Sequence, residues 1–64
     1  MFNSVLHYRK EKGFTQTELA NLIGVSRNTI SSIERGEYIP RVDTALRLSK
    51  ALGVPVFKLF KISV

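Results

Sequence analysis

Arg27 and Asn28, adjacent in the chain, are of residue types that can read base edges with paired hydrogen bonds. Arginine donates twice to guanine O6 and N7, and asparagine pairs with adenine N6 and N7. Ser26, Ser31 and Ser32 lie close by in sequence. Their short hydroxyls accept, donate or allow close approach, and so restrict a target less. Other chemistry finds little material. One His, no Cys and five scattered acidic residues leave no nucleophile with its base, no carboxylate pair and no metal cluster to assemble, so no enzyme is expected. His7 has no further ligands at metal spacing and reads as a solvated surface residue. No Gly-rich loop cradles a phosphate, and no cofactor or small-molecule effector is expected.

Side chains that read bases need a rigid support, and the stretch 15–34, TQTELANLIGVSRNTISSIE, supplies one. Leu19, Leu22 and Ile23 recur at helical spacing in its first half; Val25, Ile30 and Ile33 form a second inward stripe. Gly24 between them can take a positive φ without a Cβ clash, so one helix ends and another starts at a steep angle. Ala20, one turn earlier, lets the two helices approach. This is a helix-turn-helix over about 16–35. Thr15 caps its first helix and Glu18 completes a capping box, so that helix starts at Gln16. The exposed amides and dipole at that end make an anion site, with Gln16 and Thr17 as phosphate contacts. The second helix is expected over 26–35 with Gly36 as its cap. Removing its buried residues leaves Ser26, Arg27, Asn28, Ser31 and Ser32 as candidate base contacts, with Ser26 also an N-cap and Thr29 at the border meeting a phosphate.

Composition points to the same class of partner. Ten Lys and Arg against five Asp and Glu give a formal charge of +5 on 64 residues, with a pI near 10.1, and polyanions are the natural ligands of such a body. The absence of Cys fits a reducing compartment. With no apolar run of membrane-spanning length and no signal-peptide pattern, the expected location is the cytoplasm. There are no repeats, linkers or low-complexity segments, so residues 1–64 read as a single domain.

The flanks supply the remaining helices. Helix 1 is expected over 3–12, ended by Gly13, with Phe2, Val5 and Tyr8 inward and Leu6 on its flank. Helix 4 is expected over 42–52 with Asp43 at its start, and with Val42, Ala45, Leu46, Leu48, Ser49 and Leu52 inward; Arg47 and Lys50 stay outside. Pro55 suits the first turn of a short helix 5 over 56–60, on which an exposed Phe57 implies a covered surface.

Gln16, Ala20, Gly24, Val25, Ile30, Ile33 and Glu34, together with the runs at 9–13, 34–37 and 51–54, resemble the Cro and C1-type repressors of bacteria and phages, the XRE-like family. The resemblance spans nearly the whole chain. It implies an all-α, compact five-helix bundle of the lambda-repressor-like DNA-binding type. It also implies that Arg9 and Glu34 form a partly buried ion pair and that the loop after helix 3 follows the sugar-phosphate backbone, with Arg35, Tyr38 and Arg41 as phosphate contacts. Tyr38 has an equal alternative in covering the core edge. In short relatives the tail pairs as a strand with residues before helix 1, a terminal β-ribbon beside a dimer contact expected at Phe57, Phe60 and Ile62. The implied function is regulation of transcription, most simply repression, by a homodimer on a pseudo-palindromic double-stranded DNA operator. The alternative is an antitoxin or coregulator whose main role is holding a protein partner, such as a toxin. Leu6, Ile39, Arg41 and Phe57 depart from the family pattern.

Overall fold

Short polar caps and left-handed glycine turns divide the chain. The structure, a computed structural model, describes residues 3–60. It consists of α1 (Val5–Lys12), α2 (Gln16–Ile23), α3 (Arg27–Glu34), α4 (Val42–Leu52) and α5 (Val56–Leu59). Thr15 caps α2 in a complete capping box: its hydroxyl accepts from the Glu18 amide at 3.0 Å, and the Glu18 carboxylate accepts from the Thr15 amide at 2.8 Å. Ser26 caps α3 by accepting from the Thr29 amide at 3.1 Å. Between these helices Gly24 has φ 77° and donates its amide to the Ala20 carbonyl. A Cβ there would meet only the Arg47 guanidinium, at 3.9 Å. The turn therefore needs glycine for its backbone conformation and not for space.

Val5, Leu19, Ile30, Ile33, Leu48, Leu52 and Leu59 are almost completely buried, and Ala20 and Ile23 complete the contact of α2 with α3. Tyr8, Phe14, Val25 and Ala45 pack around this core. The chain is thus the all-α five-helix bundle expected.

Several details differ from expectation. Helix α1 starts at Val5, two residues late, because the Asn3 side chain accepts from the Val5 amide at 3.1 Å and donates to the Ile33 carbonyl at 2.7 Å, which holds the entry out of the helix. Leu22 is 59% exposed. At about 100° per residue it falls to one side of the row made by Leu19, Ala20 and Ile23. Val42 and Leu46, assigned inward, are 77% and 58% exposed, and Thr44 is buried in their place. The inward row of α4 is Thr44, Leu48 and Leu52, one helical turn apart, and it turns Leu46 nearly to the opposite side. Helix α5 stops at Leu59; Phe60 is extended, buried, and forms an isolated antiparallel bridge with Asn3. Phe2, Ile62 and the tail beyond Phe60 lie outside the described residues, and so does the expected ribbon apart from that bridge.

Candidate nucleic-acid interface

The exposed ends of α2 and α3 meet in a chain of hydrogen bonds that begins inside the protein. Arg9 on α1 donates from Nε to Glu34 Oε2 at 2.6 Å and from Nη2 to Glu34 Oε1 at 3.4 Å, with the two side chains only 9% and 5% exposed. Its Nη1 donates to the Phe14 carbonyl at 2.8 Å. The buried arginine is thus satisfied by a carboxylate and by the loop entering α2. Glu34 Oε1 accepts a further bond, at 2.9 Å, from the side-chain nitrogen of Gln16. The other end of the same amide, Gln16 Oε1, accepts from Arg27 Nη1 at 3.2 Å, and Arg27 Nη2 donates to Asn28 Oδ1 at 3.3 Å. Arg27 and Asn28 are both exposed.

The serines of α3 are more engaged than subtraction of the buried face implied. Ser26 Oγ lies 2.9 Å from Thr29 Oγ1, so the cap and the border residue share a hydrogen bond. Arg35 folds back over its own helix, donating to Ser31 Oγ, to Ser32 Oγ at 3.5 Å and to Glu37 at 3.2 Å. Its guanidinium therefore sits beside both serines on the outer face. The loop after α3 returns to that helix: the Tyr38 amide donates to the Ser32 carbonyl at 3.3 Å. Tyr38, 42% exposed, lines a shallow cleft of about 180 Å³ with Asn28, Thr29 and Ser32. Arg41 is exposed at the start of α4, where it gives no side-chain cap and instead donates to Asp43 Oδ1 at 3.5 Å. That hydrogen bond holds the Asp43 carboxyl below its ordinary value of 3.8. Thr17 is exposed in the first turn of α2.

Gln16, Arg27 and Asn28 thus come together at the starts of α2 and α3. Arg35 and Tyr38 lie along α3 beside Ser32, while Thr17 and Arg41 are exposed and have no hydrogen bond to these residues among those described. Phe57 and Phe60 lie elsewhere. Phe57 is 72% exposed on α5, whereas Phe60, expected at the dimer contact, is 3% exposed and belongs to its own chain's core. Next to it is an apolar groove of about 320 Å³ lined by Ile39, Pro40, Val42, Ala45, Leu46, Val56 and Phe60. Sequence reasoning missed this groove because it counted Val42 and Leu46 as core. The signal was present in the spacing of Ile39, Val42 and Leu46 by three and four residues.

A family model described as helix-turn-helix matches residues 6–59. The chain belongs to the helix-turn-helix family of the XRE, Cro/C1 type. Among its relatives is a helix-turn-helix-type transcriptional regulator of Methanocaldococcus jannaschii, 40% identical over 94% of this chain and 91% of that protein. The transcriptional repressor RstR of the cryptic phage CTXphi of Vibrio cholerae is 40% identical over 92% of this chain, a match that takes in 54% of the repressor. The crystal structure of the P22 c2 repressor in complex with a synthetic operator superposes with a TM-score of 0.85 at 37% identity, covering 89% of this chain and 86% of that one. The helix-turn-helix family is one of DNA-binding transcription regulators and not of enzymes. No helix among the described residues is long and apolar enough to cross a membrane.

Proposed function

We propose that this chain is a sequence-specific regulator of transcription that binds double-stranded DNA as a homodimer and represses from a pseudo-palindromic operator. Helix α3 enters the major groove, with Arg27 and Asn28 as the principal readers and Ser26, Ser31 and Ser32 in closer, less restrictive contact. Gln16, Thr17, Thr29, Arg35, Tyr38 and Arg41 face the backbone. The observation that carries the reading is the exposed Arg27–Asn28 pair, braced from behind by Gln16 beside the capped start of α2. Hydrogen-bonding groups that are both exposed and held in place suit base edges. Two copies would set their α3 helices in successive major grooves, about 34 Å apart.

Enrichment of random duplexes supplies the operator and the test. Arg27→Ala is expected to lose about 1–3 kcal/mol on the enriched site and to relax its sequence preference. Arg41→Ala weakens binding to every sequence alike and reduces the salt slope by about 1. Equal losses for both variants on specific and random DNA would overturn this division of labour.

The exposed apolar groove at Ile39, Val42 and Leu46 also favours a second reading, in which that face holds a different protein, a toxin or coregulator, and DNA contact is secondary. The mass of the complex from its native host discriminates: two copies on one duplex support the repressor, and a fixed stoichiometry with another chain supports the alternative.

A further inference from the structure

The chain of hydrogen bonds from the buried ion pair to the reading face has a direction. A carboxylate accepts and does not donate, so Glu34 Oε1 selects the nitrogen end of the Gln16 amide, 2.9 Å away. That choice leaves Gln16 Oε1 turned outward, where it meets Arg27 Nη1 at 3.2 Å. A guanidinium donates only. Were the amide turned round, an NH₂ would face the guanidinium, donor against donor, and Glu34 would face a second acceptor. Arg9, donating to both oxygens of Glu34, keeps the carboxylate from rotating. Within the guanidinium, one N–H of Nη1 is taken by Gln16 and one of Nη2 by Asn28. Each terminal nitrogen keeps a second N–H, the two donors that guanine O6 and N7 require.

We propose that Glu34 and Gln16 are positioning residues for Arg27: the buried carboxylate fixes the polarity of the Gln16 amide, whose carbonyl oxygen then holds the guanidinium ready for a guanine edge. The inference rests on the reading that α3 enters the major groove. It gives Gln16 a part in sequence preference in addition to its phosphate contact, and Glu34 a part in recognition although it is buried and touches no DNA.

The test uses the full chain and compares wild type, Arg27→Ala, Gln16→Met and Glu34→Gln by enrichment from random duplexes. The position at which Arg27→Ala loses its guanine preference identifies the contact. Gln16→Met, similar in volume but without an amide, is expected to reduce that preference about tenfold, as loss of a well-placed bidentate contact does. Glu34→Gln is expected to do the same, because Arg9 claims the one remaining acceptor, the new NH₂ turns toward Gln16, and the Gln16 amide reverses to offer Arg27 a donor. The two changes combined should be no worse than either, since they act in series. A second readout needs no DNA: side-chain ¹⁵N relaxation of Arg27 Nε in the free protein should show greater mobility in Gln16→Met. If Gln16→Met lowers affinity uniformly and leaves both the guanine preference and Arg27 mobility unchanged, Gln16 serves only the phosphate and the proposal is wrong while the DNA reading stands. If wild type enriches no sequence at all, the DNA reading falls and takes the proposal with it. Should Glu34→Gln fail to fold, the Gln16→Met preference and the relaxation measurement decide alone.

Discussion

Arg9 and Glu34 show how much a single pair of side chains is made to carry. Both are nearly buried, and removing one partner leaves the other as an uncompensated charge in the interior. Arg9→Met or Glu34→Leu alone should therefore cost about 3–5 kcal/mol. Replacing both together removes the desolvation penalty along with the attraction and should cost much less than the sum. Denaturant midpoints for the two single variants and the double variant would settle this; additive losses would mean that the pair is not coupled. The pair itself was legible through the family resemblance, whereas Gln16 between it and Arg27 was not. Periodicity tells which face a residue occupies, but not which polar groups on three different helices come within 3 Å of each other. Ser31 and Ser32 illustrate the same limit, since the side chain that engages them, Arg35, comes from the helix end and folds back.

At the scale of the elements, chemistry at the helix ends was the most readable part of the chain. The capping box at Thr15 and Glu18, the Ser26 cap and the turn at Gly24 stand where residue type alone put them. Each is a local interaction between neighbours in sequence. The turn is also testable in isolation. Gly24→Ala adds a methyl group that meets nothing closer than 3.9 Å among the nearest atoms, so any loss of stability measures the positive φ alone. That loss should be about 1–2 kcal/mol, seen as a lower denaturant midpoint at unchanged slope. A larger loss with a changed slope would show that the angle between α2 and α3 had given way instead. The face of α4 was less readable. Its apolar residues run most of the way round the helix, and only the partners in the fold select Thr44, Leu48 and Leu52 as the inward row. Val42 and Leu46 were mistaken for core because hydrophobicity was equated with burial, although apolar side chains also cover surfaces that meet other molecules.

For the molecule as a whole, that misassignment matters. Ile39, Val42, Leu46 and Phe57 are 58–77% exposed on a body whose entire accessible surface is 4273 Å². A standard protein interface takes about 800 Å² from each partner, roughly a fifth of that surface, and needs an apolar centre. The groove from Ile39 to Val56 provides such a centre, and it is continuous with the loop that carries Tyr38 and Arg41. A two-fold contact here would bring each copy's 38–41 loop, proposed to face the DNA backbone, beside the subunit boundary, so operator spacing and subunit contact would be set by one segment. Val42→Glu with Leu46→Glu removes no core side chain, and the α-helical spectrum should persist. Two like charges on each side of a two-fold contact should nevertheless give a monomer by sedimentation equilibrium. On DNA, the variant should bind single half-sites with the same base preference as wild type but lose the dependence on half-site spacing that a joined pair enforces. A variant that stays dimeric and keeps that spacing dependence would move the subunit contact off this face and leave the groove to another protein.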